Sequence, residues 1–408
     1  VTSTIRFRHS VGAGLAVLLL LGSCKKSKEG QLAEKDVFDE NVVTTYEIGI
    51  DPADWDAMVA DPESNTWRRM TMTWEGETLT DVAVHPSGQH SRVPGNPKPS
   101  LHLSFEEFVP SRHFHHLPSV KLNSHIDDPA LMRERIAYSV ERSFGIAAPR
   151  EVHARVVVNG QYKGLYGVEE RITKKFVERW FPGSTRQIYK YSGAFADIWD
   201  RGDDPSQYVP LMFEAHVDSL DFDAAGMRDL ITGISRGPYD QTAARFDIEV
   251  FLREIAVETL TGEEDAILAG PDATNTVWSN NFYLYKASST DKYTVIGWDR
   301  NECFWRLPYN DSITEAFDRH ILTRQLIVMR PENLERLKAL LRELLDGPGT
   351  VETLQARFDF IYTQIKPYME AEPLNPKKPR DFQTWLFEAA DLRSYLKQRH
   401  EGVDGQVP

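Results

Sequence analysis

The sequence predicts an α+β protein with a β-rich N-lobe and a mostly helical C-lobe. Three observations carry that expectation. Apolar and polar residues alternate in most segments between Thr44 and Glu169. An Asn159-Gly160 pair joins two of those segments as a hairpin, because both residues accept the positive φ of a type I′ turn. From Thr314 onward the apolar spacing is helical, most strongly over Leu334–Leu345 and Val351–Tyr368. Strands first and helices last is the segregated order of an α+β chain.

Thr44–Ile50 alternates as a strand, and Asp51-Pro52 opens a short helix to Val59 with a cap and a first-turn proline. Arg68–Trp74 and Glu77–His85 read as strands. A loop dense in Gly, Pro and Asn runs from Pro86 to Pro99, followed by short strands at Ser100–Phe105 and Ser119–Leu122. Asp127-Asp128-Pro129 opens a helix through Phe144, which Gly145 stops. Glu151–Val158 and Gln161–Glu169 flank the Asn-Gly turn. Lys174–Trp180 is a short amphipathic helix, and Asp247 caps a longer one to Leu260. Asn281–Lys286 and Tyr293–Trp298 pair around a polar loop. The expected organisation is a leader (residues 1–23), a linker (24–40), the N-lobe (41–170) and the C-lobe (171–408).

Composition narrows the function. With 41% hydrophobic residues the chain can build a core. A net charge of −14 argues against nucleic-acid binding, which needs a basic footprint. Two cysteines exclude a disulfide scaffold and any multi-cysteine metal site. Arg6 and Arg8 precede an apolar run, Val11–Leu21, about half of the ~20 residues a spanning helix needs. That is the pattern of a secretory signal. Its end, Leu21-Gly22-Ser23-Cys24, resembles a bacterial lipobox. A diacylglycerol on Cys24 would tether an extracytoplasmic chain to a membrane. An ordinary signal peptide with an incidental cysteine is the other reading.

Four constellations could carry chemistry. The loop from Gly88 to Lys98 could cradle phosphate through backbone N–H groups, with Ser91, Arg92 or Lys98 as donors, or be a plain surface loop. Lys121, between apolar residues on a short strand, could be oriented by an acid of the following helix, or form an ordinary salt bridge. Glu169-Glu170 could mark a hinge or a cation site, or a solvated strand end. Glu263-Glu264-Asp265, Asp272, Asn280-Asn281 and Asp299-Arg300-Asn301 gather the hard oxygen ligands that Mg²⁺ accepts, although Asp and Asn are also common in turns.

Several blocks together resemble one family. They are Gly95-Asn-Pro-Lys-Pro-Ser-Leu-His-Leu-Ser-Phe105, the run from Leu122 to Arg135, Val156 to Glu170, Asn280-Asn-Phe-Tyr-Leu-Tyr285, and Gly297-Trp298-Asp299. From about Val82 to Gly402 the chain is similar to the CotH kinase family, atypical protein kinases like spore coat protein H. The resemblance implies a distant protein-kinase-like fold. It implies ATP with Mg²⁺ or Mn²⁺ as cofactors, and phosphoryl transfer to hydroxyls of a protein substrate. By position it makes Asp299 a metal ligand with Asn281 and Asn301, and Asp265 the catalytic acid, with Asp272 as alternative. Lys121 becomes the phosphate-orienting lysine with Glu134 or Glu141 as its partner. Lys98 competes with it, beside Gly95 and Asn96 in the glycine loop. Where the family often has Trp-Asp-x-Asp, this chain has Asn301 for the second acid. Arg300 is expected to add charge beside the metal position, and Gly297 replaces the family's proline. The runner-up is a non-catalytic, kinase-like surface lipoprotein that binds a partner.

Overall fold

Seven strands curl into a closed barrel in the computed structural model. The structure describes residues 36–408 apart from 89, 184–186, 194–196, 216–222, 269–278, 288–289, 306–307 and 379. The strands are β1 (Thr44–Ile50), β2 (Arg68–Trp74), β3 (Glu77–Ser87), β4 (Ser100–Ser104), β5 (Ser119–Asn123), β6 (Glu151–Val158) and β7 (Gln161–Glu170). They are ordered β1-β2-β3-β4-β5-β7-β6, and a parallel β1–β6 pairing closes the ring. A strand's side chains alternate between faces. Tyr46, Ile48, Met72, Trp74, Leu101, Leu103, Val120, Leu122, Val156 and Val168 therefore fill one interior core. The β-rich first half is thus as expected, but its closure into a barrel was not, since local alternation does not show which edge strands meet.

The turn between β6 and β7 seals that closure. Asn159 and Gly160 adopt φ of 49° and 78°, as the type I′ turn requires. The Asn159 amide also reaches β1: its Oδ1 accepts from Ile50 N at 3.0 Å, and its Nδ2 donates to Ile50 O at 2.9 Å. One side chain thus fixes the hairpin's end to the first strand. The short helix α1 (Pro52–Ala60) begins as expected, with Asp51 accepting from Ala53 N.

Helix α2 (Arg133–Ser143) starts later than the Asp-Pro signal suggested. Asp128 accepts from Ala130 N and Arg133 N and pairs with the Arg133 guanidinium at 2.6 Å, while Leu131 takes a positive φ of 59°. A turn therefore occupies the place of a first helical turn. The helix lies against the outer face of β5, β6 and β7. That face carries Asn123, His153 and Glu169, and Asn123 bonds Glu134, Arg135 bonds His153 and Tyr138 contacts Glu169.

The second half of the chain adds α3 (Lys174–Trp180), β8 (Ile188–Tyr191), β9 (Phe213–Ala215), α4 (Ala224–Arg236), α5 (Tyr239–Arg245) and α6 (Ile248–Thr261). Then follow β10 (Phe282–Lys286), β11 (Tyr293–Gly297), α7 (Ile321–Thr323), α8 (Pro331–Leu345), α9 (Val351–Met369) and α10 (Phe382–Asp404). Asp247 caps α6 by accepting from Val250 N, and Gly262 ends it in the left-handed conformation. The lobe is not helical throughout. A four-stranded sheet, β11-β10-β8-β9, lies within it. β8 and β9 are too short to show a sequence period. Among the described residues no helix is long and apolar enough to cross a membrane.

Asn159→Ala should destabilise the protein by about 2 kcal/mol, through two lost hydrogen bonds and a left-handed alanine. Asn159→Gly should lose roughly half of that, because glycine keeps the turn. Urea unfolding of both variants measures the difference, and equal losses would contradict the assigned seam.

Candidate functional site

Lys121 and Glu169 face each other across β5 and β7, so the barrel register itself makes them neighbours. Their side chains pair at 2.7 Å, and both are buried. Asp299 Oδ1 lies 3.8 Å from the same ammonium. Burial opposes the charge on Lys121. Asp299, Glu169 and Glu134 more than offset it and hold the ammonium above its ordinary pKa.

The helix acids divide their work. Glu134 accepts from Asn123 Nδ2 at 2.9 Å, from the Tyr138 hydroxyl at 2.9 Å and from Arg300 N at 3.2 Å. It sits in the field of Lys121 without being its direct partner. Glu141 serves Arg300 instead, at 2.8 Å. The partner of Lys121 is therefore Glu169. Its signal in the sequence was the acid pair ending the hairpin, which also fitted a solvated strand end. The structure buries both Glu169 and Glu170.

Asp299 leaves the end of β11 in a left-handed conformation, φ 57°, and donates its backbone N–H to the Tyr138 hydroxyl at 2.9 Å. Asn281, just before β10, also has positive φ, 50°. Asn and Asp tolerate this region better than other side chains, and such positions gather at functional sites. Asn281 Nδ2 donates to Asp265 Oδ2 at 2.8 Å, and Asn280 Nδ2 to Asp265 Oδ1 at 3.0 Å. Burial and the nearby Asp299 raise the Asp265 carboxyl, against these two hydrogen bonds. Asp265, Asn281, Asp299 and Asn301 line one pocket together with Lys121 and Asn123. Their hard oxygen donors fit Mg²⁺ or Mn²⁺. Asp272 and Cys24 lie outside the described residues.

A larger cavity of about 600 Å³ shares Lys121, Asn281 and Asp299 with this pocket. Lys121, Lys190, Arg92 and Arg171 line it, with Glu169, Glu214 and Trp298. Lys190 lies 4.7 Å from the Trp298 ring centroid. Sequence reasoning missed Lys190, which sits on a segment with no motif, and in the run Val168–Arg171 it weighed the acids and not Arg171. Of the glycine-rich loop, Gly88, His90, Ser91 and Arg92 reach these cavities. Gly95, Asn96 and Lys98 have structural partners elsewhere. Gly95 N bonds Val59 O, Asn96 is buried and accepts from Asn375 Nδ2 at 3.0 Å, and Lys98 pairs with Glu372 at 2.6 Å.

Arg300 corrects a second expectation. Its buried guanidinium turns away from the metal position. It meets Glu141 at 2.8 Å, Glu258 at 3.4 Å and Glu254 in a closer contact. A Cβ at Gly297 would run into the guanidinium and Glu254, so glycine at 297 and arginine at 300 go together. Glu258 also accepts from Ile267 N and Leu268 N, which fixes the chain just after Asp265.

An α+β protein whose barrel and second sheet meet at a cleft lined by lysine, carboxylates and asparagines is the class that fold and site define. Within it, the chain belongs to the family described as CotH kinase protein, whose model matches residues 84–403. A curated relative, inner spore coat protein H of Bacillus subtilis (strain 168), is 22% identical over 331 residues, covering 79% of this chain and 86% of that one. Two solved structures align at low scores. They are the Helicobacter pylori proinflammatory kinase CtkA (8% identity, 85% of this chain and 94% of that chain, TM-score 0.33) and the Shewanella oneidensis MR-1 toxin–antitoxin complex of HipA, HipB and operator DNA (14%, 84% and 65%, TM-score 0.30). Scores this low carry nothing about the chemistry.

Three carboxylates around one buried guanidinium make stability depend on pH. Burial pushes Glu141 and Glu254 up to about 7, against the pull of Arg300. A carboxyl raised in the folded state holds its proton longer there than in the unfolded chain. Its contribution is complete below the ordinary value and is lost as pH rises through about 7. The melting temperature should therefore fall between about pH 5 and about pH 8, and Glu254→Gln should flatten that slope. An unchanged slope in the variant would contradict this.

Proposed function

We propose that the chain is an ATP- and divalent-metal-dependent protein kinase that transfers a phosphoryl group to protein hydroxyls. One observation supports the reading above the others. Lys121, held by Glu169, lies beside Asp299, and the same pocket holds Asp265 clasped by Asn280 and Asn281. Phosphoryl transfer needs positioned groups and neutralised oxygens more than covalent help.

Asp299, Asn281 and Asn301 are the residues that would hold Mg²⁺ or Mn²⁺, which supplies charge neutralisation of phosphate oxygens when bound. Lys121 presents a fixed ammonium to the same region, and Lys190, Arg92 and Arg171 add positive charge around the larger cavity. Asp265 would accept the proton of an acceptor hydroxyl, oriented by its two amide partners. Membership of the family supports ATP as donor and a kinase-like ancestry of the fold. The setting belongs to the same proposal: a lipid on Cys24 tethers the chain outside the cytoplasm, its partner is a protein substrate, and nucleic acid is not bound.

Asn301 favours one second reading. An amide at the second metal position lacks the charge of the family's acid, which suits a kinase-like surface protein that binds a partner without transfer.

The test is transfer from γ-labelled ATP to casein in Mg²⁺ or Mn²⁺. Wild type should label the acceptor, and Asp299→Ala and Asp265→Ala should each lose about 100-fold or more. Loss in Asp299→Ala alone would move the acid's role to Asp272. No label from folded wild type would leave the binding protein in front.

A further inference from the structure

Behind the cleft, between α2 and the outer face of the barrel, lies a second group of ligand-type side chains. His125 follows β5, Glu151 opens β6 and Glu134 projects from α2. Each offers a donor atom, and the three atoms lie within 4.8 Å of one another. All three residues are buried, Glu134 and Glu151 completely. Neither oxygen of Glu151 and neither ring nitrogen of His125 has a hydrogen-bond partner. His125 Nε2 and Glu151 Oε1 lie 3.3 Å apart without bonding alignment.

Four orphaned polar atoms on two buried residues are costly, since each forgoes its bonds to water. The backbone is also shaped around them. Gly167 on β7 lies beneath the group, and a Cβ there would run into Glu151 Oε1 and approach His125 Nε2 within 2.6 Å. His125 itself is held at φ 52°, with its N–H bonded to Asn123 Oδ1 at 3.1 Å. Glycine at 167 is what lets His125 and Glu151 turn their unpartnered atoms toward each other.

We propose that His125, Glu134 and Glu151 bind one Zn²⁺ ion, distinct from the nucleotide metal of the cleft. One imidazole and two carboxylates are a three-ligand zinc set, and a bidentate carboxylate can fill the fourth position. A dication balances two buried carboxylates that otherwise repel each other. The ion would pin α2, through Glu134, to the start of β6, one helical turn from Tyr138, whose hydroxyl bonds Asp299 N. Its role is structural, and it does not depend on kinase activity.

The full chain, stripped with chelator and dialysed against Zn²⁺ without nucleotide, should retain one zinc per chain. Asp299→Ala should retain it equally. Glu151→Gln and His125→Ala should weaken zinc binding at least about tenfold. X-ray absorption on the wild-type zinc protein should show nitrogen and oxygen donors including an imidazole, a readout that needs no variant to fold. No retained zinc, zinc lost in Asp299→Ala, or a spectrum without imidazole would each overturn the proposal. Because no ATP is present, failure here is separate from failure of the kinase reading.

Discussion

One buried arginine organises the site. The Arg300 guanidinium lies among Glu141 of α2 and Glu254 and Glu258 of α6, all excluded from water. Leaving any of these charges without its partner in such a place costs several kcal/mol, about 3–5 in measured cases. The cluster therefore fixes three elements to one another. Asp299, one residue earlier, inherits its position, and so does the chain after Asp265 through Glu258. Gly297 is the concession that lets the guanidinium pass. A charge that looked as though it belonged to the cleft instead holds the cleft's walls.

The barrel supplies the opposite wall by simpler means. Its alternation sends Val120 and Leu122 into the core and turns Lys121 and Asn123 outward. Lys121 then meets Glu169 by register, not by a long reach. Tyr138 ties the two walls, since its hydroxyl donates to Glu134 and accepts from Asp299 N. With its 3.4 Å contact to Glu169 on β7, one phenol joins a helix, a strand and a loop. This arrangement keeps Lys121 charged and aimed where Asp299 and the asparagines gather.

Much of the fold was legible because local physics decides it. The Asn159-Gly160 hairpin, the Asp51 and Asp247 caps and the periodic α8 and α9 follow from turn chemistry, capping and spacing. The barrel's closure was not legible, because a parallel β1–β6 seam depends on residues about a hundred positions apart. The start of α2 was misplaced because Asp128 spends its carboxylate on a turn and on Arg133. In the site, residue types showed which oxygens could gather, but not which charges pair. Glu169, Lys98 and Arg300 each have partners set by tertiary packing: a neighbouring strand, Glu372 near the end of α9, and two helices. No spacing rule reaches across those distances.

The central claim is that the cleft accepts a triphosphate together with a divalent metal. Calorimetric titration of the wild-type chain with a non-hydrolysable ATP analogue, with and without Mg²⁺, addresses it without requiring turnover or a known substrate. A cleft whose acids hold the metal gives saturable binding that depends on Mg²⁺ and disappears in its absence. Binding of equal strength without metal, or no binding in either condition, would contradict it.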